Sequence, residues 1–181
     1  MKVLAISDLH GSLEAATIIE QIIVRHKIDI ILCLGDILYH GPRNDLPLDY
    51  NPKKIIPILN NYKDKIISVR GNCDSEVDQM VLEFPILSDI NTFYINKRKI
   101  VASHGHVYGL DNLPFLSDND VFIFGHIHIP IAKKENNYYI LNPGSSSLPK
   151  ENHPKTYGVL DDKGFKIYTF NHEVYREINF D

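Results

Sequence analysis

The opening third of the chain admits few folds. Met1 to Ile6 is a short apolar run, and Ile28 to Leu34 is a second one. Between them, from Ser12 to about His26, Leu13, Ala16, Ile19 and Ile23 recur on one helical face. Short runs this apolar read as buried strands, and the helical stretch as the crossover that joins them. Two strands linked in this way lie parallel in one sheet. Ser12 suits an N-cap, and Glu14 complements the dipole of the first turn. The second strand ends in Gly35-Asp36, which delivers a carboxylate to the C-terminal rim of the sheet, where α/β proteins hold their ligands.

The pattern continues and then changes. Residues 37–51 contain Gly41-Pro42 and Pro47 and read as a long functional loop. Pro52 to Asn60 reads as a short helix, with Pro57 an unfavourable residue inside it. Lys65 to Val69 is a third strand, and Asp74 to about Leu82 reads as a helix. After that hairpins dominate. Thr92–Ile95 and Lys99–Ser103 turn through residues 96–98, and Leu110–Leu116 reads as a helical turn. Val121–Phe124, Ile131–Lys134, Tyr138–Leu141, Thr156–Leu160, Phe165–Phe170 and Glu173–Ile178 read as strands. Parallel units followed by hairpins imply an α/β (α+β) fold, two sheets with helices outside them, in a single domain over 1–181.

Composition removes several function classes. A net charge of −4 gives no nucleic-acid-binding signature and no attraction to an anionic membrane. No apolar stretch approaches the roughly 18 residues of a membrane span. The N-terminal apolar run is too short for a secretory signal, and two cysteines, Cys33 and Cys73, make no disulfide framework. A cytoplasmic protein is therefore expected.

Five stretches place Asp, Asn or His at the ends of apolar runs: Asp8-Leu9-His10, Gly35-Asp36, Gly71-Asn72, His104 and Gly125-His126-Ile127-His128. Each has a simple alternative as a cap or turn residue. In an extended stretch, Asp8 and His10 would point the same way, toward one ion. His-x-His after a glycine at a strand end is a common ligand pair.

The order D-x-H, G-D, G-N, H-G-H, G-H-x-H resembles the calcineurin-like metallophosphoesterase superfamily. The stretches 35–44, 70–80 and 142–145 resemble, within it, the small bacterial phosphodiesterases of the YfcE type. The resemblance implies a four-layer αββα sandwich of two mixed β-sheets flanked by helices, the metallo-dependent phosphatase fold. It implies that Asp8, His10, Asp36 and His128 hold one divalent ion, and Asp36, Asn72, His104 and His126 a second. Carboxylate, imidazole and amide ligands without thiolate suit Mn²⁺ first, with Zn²⁺, Fe or Ni²⁺ as further candidates. A hydroxide bridging the ions would attack a small phosphodiester in line.

Cys73 stands where many enzymes of this superfamily have a histidine that protonates the leaving oxygen. Two roles remain open for it, a general acid or a space-filling residue beside Asn72. His40, Arg43, Asn44 and His106 are expected on the substrate side, Arg43 because its planar fork matches phosphate. The alternative for Arg43 is an ion pair with Asp45 or Asp49. A non-catalytic protein-binding scaffold of the same fold, or a phosphomonoesterase, are the competing functions. The aromatic hairpins at Tyr138-Tyr139 and Tyr168–Phe170 are either core or a homo-oligomer interface. His26, His153 and His172 are assigned no role.

Overall fold

The computed structural model describes all residues from 1 to 181. A six-stranded sheet runs in the order β11-β10-β9-β1-β2-β3 and a five-stranded sheet in the order β4-β5-β6-β8-β7. In the first sheet, β1 (Val3–Ile6), β2 (Ile30–Cys33) and β3 (Ile66–Ser68) are parallel. The strands β9 (Thr156–Leu160), β10 (Gly164–Thr169) and β11 (Val174–Asn179) extend it antiparallel. In the second, β5 (Arg98–Ser103), β6 (Val121–Ile123) and β8 (Tyr138–Pro143) are parallel, with β4 (Ile90–Ile95) and β7 (Pro130–Glu135) antiparallel at the edges.

Period-two alternation decides which core each side chain joins. Val3, Ala5 and Leu32 pack between the sheets against Ile100, Val121, Ile123 and Leu141. Leu4, Ile6 and Ile31 face the other way, onto Ala15, Ile19 and Ile22 of α1 (Leu13–His26) and Ile55 and Leu59 of α2 (Pro52–Asn60). Central strands buried on both faces explain why these runs are apolar throughout.

α1 starts at Ser12, whose Oγ accepts from the Ala15 N–H at 3.3 Å, and ends at Lys27 in a left-handed cap. Asp49 reinforces that start by accepting from the Ser12 hydroxyl and the Glu14 N–H, at 2.8 and 2.6 Å. α2 is capped by Asn51, carries Pro52 in its first turn, and continues through Pro57.

Three local expectations are corrected. The stretch 74–82 holds only one helical turn, α3 (Glu76–Gln79), closed by a Ser75–Asp78 capping box; Leu82 and Phe84 then turn inward to the helix-side core. Residues 110–116 form no helical turn. They are coil, and Leu113 and Leu116 cover Val101, Phe122, Phe124 and Ile140 on the outer face of the second sheet. The two mixed sheets are as expected, but the layer outside the second sheet is therefore coil rather than helix. The 96–98 turn tightens to Asn96-Lys97, both with positive φ, as a two-residue hairpin requires. The aromatic hairpins belong to the core. Tyr139 is fully buried between the sheets, Tyr168 and Phe170 pack on the helix-side core, and Tyr138 packs on the outer face of the second sheet.

Candidate metal centre

The C-terminal ends of β1, β2, β3, β5 and β6 meet at one rim, and each carries one of the five stretches singled out above. Asp8, His10 and His104 are fully buried and form the floor. Asn72 and His126 stand on the open side.

The local backbone is unusual. Asp8, His10, Asp36, His126 and His128 all have φ between +45° and +66°. Left-handed backbone costs a non-glycine residue roughly 1–2 kcal/mol and persists where the surroundings hold it. Here hydrogen bonds hold it. The Asp8 and His10 N–H groups donate to the Gly35 and Asp36 carbonyls at 3.1 and 2.9 Å. Ser145 and Ser147 hydroxyls both donate to the Asp8 carbonyl, at 3.1 and 2.7 Å. Asn142 donates to the Gly125 carbonyl at 2.8 Å, so the 142–147 turn clamps two ligand loops. Asp8 and His10 converge through these turns and not through extended chain, which corrects the expected local geometry.

Glycines permit the close approach. A Cβ on Gly71 would lie 2.1 Å from Asp36 Oδ1, and one on Gly35 would lie 2.5 Å from the Gly71 nitrogen. No other residue lets β2 and β3 bring their loops this close.

Asp74, which the sequence reading placed only at a helix start, ties these two loops together. Its carboxylate accepts from the N–H groups of Asp36, Ile37 and Gly71 at 2.9, 2.9 and 2.8 Å. Burial pushes it up to about 6, against the pull of those three donors.

The chemistry of the donor set fits cations. His10, His104 and His128 each place Nδ1 on a backbone carbonyl, of Tyr39, Leu34 and Leu148, at 3.0, 2.6 and 2.5 Å. That fixes the Nδ1–H tautomer and leaves Nε2 as a bare lone pair in each neutral ring. His10 Nε2 and His128 Nε2 lie 3.3 Å apart, and Asp8 Oδ1 lies 3.2 Å from the latter. Asp8 Oδ1 is buried without a hydrogen-bond partner, while Oδ2 accepts from Ser7 Oγ and the His126 N–H. Asp36 Oδ2 lies 3.6 Å from His10 Nε2 and 3.4 Å from His104 Nε2. His104 Nε2 lies 3.2 Å from Asn72 Oδ1, and its ring is 5.0 Å from that of His126. Lone pairs gathered this closely repel one another until a positive charge sits among them. Potential ligand atoms gather in three overlapping sets, Asp8 with His10 and His128, His10 with Asp36 and Cys73, and Asp8 with Asp36 and His104; Asn72 and His126 lie beside His104.

Titration follows from this crowding. Burial disfavours the charged form of His104, but the Asp36 and Asp8 carboxylates outweigh it and raise the imidazole to about 9. Burial, with His104 beside it, lowers His126 to about 4. Burial likewise lowers His10, against the pull of the same two carboxylates.

Outside the ligands, a recess of about 400 Å³ lies over Asp36, Asn72, Cys73, His126 and His128. Arg43 and Asn44 line it, as does Lys150, which the sequence reading missed because it follows a proline in an unremarkable loop. Arg43 pairs with neither Asp45 nor Asp49, since Asp49 caps α1. His40 does not line the recess. Its ring is held edge-on between Tyr39 and Tyr50, at 4.8 and 5.4 Å. His106 also stays off the wall, 5.4 Å from the His104 ring and 6.2 Å from the His126 ring. Burial, then the neighbouring Asp36 carboxylate, push the Cys73 thiol up to about 12, and its backbone N–H donates to Asp36 Oδ1 at 2.8 Å.

The chain is similar to known proteins. Phosphodiesterase YfcE of Escherichia coli (strain K12) is 43% identical over 171 residues, which cover 94% of this chain and 93% of that one. The solved structure of Yfce, described as a phosphoesterase from E. coli, superposes with a TM-score of 0.97 at 40% identity, with all of both chains covered. Vacuolar Protein Sorting 29 from Cryptosporidium parvum has a TM-score of 0.66 at 20% identity, covering 99% and 97% of the two chains, a likeness of fold alone. The calcineurin-like phosphoesterase superfamily domain matches residues 1–164, and to that superfamily this chain belongs.

Proposed function

We propose that this protein is a metal-dependent phosphodiesterase that hydrolyses a small phosphodiester by in-line displacement at a dinuclear centre, the whole chain acting as one domain. The observation that carries this is the convergence of the Asp8 and Asp36 carboxylates with the Nε2 atoms of His10, His104 and His128, with Asp8 Oδ1 buried and left without a hydrogen-bond partner. The likeness to E. coli YfcE, named a phosphodiesterase, supports the diester as substrate.

Asp8, His10, Asp36 and His128 would hold one divalent ion, and Asp36, Asn72, His104 and His126 the other. Mn²⁺ suits this oxygen- and nitrogen-rich set, in which no thiolate favours a softer ion. When bound, the two ions supply a nucleophile from water at neutral pH and offset the charge that builds on the phosphate oxygens. The chain does the rest. Arg43, Asn44 and Lys150 bind and orient the phosphate from the recess wall. Asp74 keeps the Asp36 and Gly71 loops in register. His106 braces the His104 and His126 rings, and His40 braces Tyr39 in the loop that carries Arg43. Cys73 Sγ holds a proton at neutral pH, and two roles stay open for it, donor of that proton to the leaving oxygen or filler of space beside Asn72. No helix is long and apolar enough to cross a membrane. Two free cysteines, Cys33 and Cys73, support action in a reducing compartment such as the cytoplasm.

The test is hydrolysis of bis(p-nitrophenyl) phosphate by the purified protein with Mn²⁺, with metal content measured in parallel. Asp36→Asn should lower the rate by about three orders of magnitude, since it removes the one carboxylate shared by both groups. Full activity in that variant after exhaustive chelation would sink the dinuclear reading.

A further inference from the structure

A second recess, of about 870 Å³, opens beside the first. The two share one border, formed by Pro42 and Arg43 from the loop after β2 and Asn72 and Cys73 from the loop after β3. The characters of the recesses differ. The one over the ligands is polar and basic. The other is walled by Tyr39, Tyr50, Ile56 and Val77, with Arg43 and Arg70 at its edge.

We propose that this second recess is the subsite for a planar aromatic arm, aryl or nucleoside, of the diester whose phosphate sits at the ligand cluster. The inference rests on the phosphodiesterase reading and adds the substrate class. A phosphodiester carries two organic arms, and the polar recess offers them only Pro42 and Ile127 as apolar lining. Continuity through Asn72 and Cys73 lets one molecule span both spaces. Tyrosine rings and branched aliphatic side chains form the surface that a flat ring buries well. Arg70, which lines this recess and not the first, offers a guanidinium to that ring, since arginine packs on π faces. Arg70 leans only weakly on Glu76, at 4.0 Å, and remains available. Val77 is 70% exposed and Tyr39 42% exposed, so these apolar groups face solvent when the recess holds no ring.

The walls come from three separate pieces of chain. Tyr39 and Tyr50 bracket the long loop after β2, Ile56 comes from α2, and Val77 from α3. The Tyr39–His40–Tyr50 edge-to-face ladder fixes the two tyrosines relative to each other. One side of the recess is thus bounded by three aromatic rings in mutual contact.

The experiment compares two substrates with the same leaving group, phenyl p-nitrophenyl phosphate and methyl p-nitrophenyl phosphate, on the Mn²⁺-loaded protein. The phenyl ester should be favoured by roughly ten-fold or more in kcat/KM, mostly through KM. Val77→Glu, on an exposed position that folding tolerates, should pull that ratio toward one. In parallel, methyl NMR of the same protein should show ring-current shifts at Ile56 and Val77 with methyl phenylphosphonate, and none with methyl methylphosphonate. Turnover of diesters with no arm preference, or no shifts at Ile56 and Val77, overturns the subsite. Shifts at those methyls without turnover of any diester would instead overturn the phosphodiesterase reading and leave the aromatic subsite standing.

Discussion

His10 Nε2 and His128 Nε2 face each other across 3.3 Å, each with its Nδ1–H already given to a backbone carbonyl. Neither ring can turn a proton toward the other without breaking that bond, so the contact is repulsive unless a cation or an extra proton occupies it. Against their own burial, the Asp8 carboxylate raises the His128 imidazole, and Asp36 and Asp8 raise nearby His104 to about 9, so that His104 carries a proton at neutral pH.

Divalent ions should therefore stabilise the fold and displace protons. Mn²⁺ at about 100 times its dissociation constant adds ~2.7 kcal/mol. That should appear as a rise of roughly 5–10 °C in the melting temperature of a chain this size. Because His104 must lose its proton to ligate, affinity should fall as pH drops from about 9 toward neutral. Calorimetry in buffers of different ionisation enthalpy measures the protons released. Binding with no proton release at pH 7 would remove His104 from the ligand set.

Asp74 predicts a graded series. Ala removes the acceptor of three buried N–H groups, of Asp36, Ile37 and Gly71. Leaving them unpaired should cost about 3 kcal/mol or more, a fall in melting temperature of ~6–12 °C. Asn should lie between, because its one oxygen can serve Asp36 and Gly71 while its amide meets the Ile37 N–H. Metal affinity should follow the same order, measured by titration. Equal stability in all three proteins would show that the loops are held without Asp74.

The strand ends were legible because apolar runs terminate abruptly in Asp, Asn or His, and burial on both faces forces that pattern. The first β-α-β unit and the Ser12 cap rest on equally local signals. Asp74 was not legible, since an aspartate before a capping box looks like a helix start wherever its carboxylate points. The left-handed backbone at Asp8, His10, Asp36, His126 and His128 was also hidden, because nothing in those residue types demands positive φ. The coil over the second sheet misled by having leucines at helical spacing, when the sheet face beneath Leu113 and Leu116 is what selects them.

His26 and His172, assigned no role from sequence, flank the buried Tyr157 hydroxyl at 3.0 and 2.8 Å. Burial, then the charge of Arg25, lowers both imidazoles below 6.5. The unfolded chain then binds more protons than the folded one below that pH. Stability present above pH 6.5 is lost as pH falls through the folded values. His26→Gln keeps a partner for Tyr157 and removes one titration. Its melting temperature should decline less steeply than the parent's as pH falls below 6.5. Parallel curves would mean that His26 does not contribute.

Cys73 allows its two roles to be separated by leaving group. The thiol borders both recesses, accepts from Asn72 Nδ2 at 3.3 Å, and is pressed by Gly41, where a Cβ would lie 2.8 Å from the sulfur. That crowding fits a filler of space as well as a proton donor. A donor matters most when the leaving oxygen is a poor leaving group, and little when it departs as a stabilised phenolate. Cys73→Ser preserves size, so packing changes little, whereas the hydroxyl is a far weaker acid. Alkyl diesters should then slow by about a hundred-fold, while p-nitrophenyl diesters stay within a few-fold of the parent. Equal losses on both substrate types would remove the thiol from proton transfer and leave it beside Asn72 as packing alone.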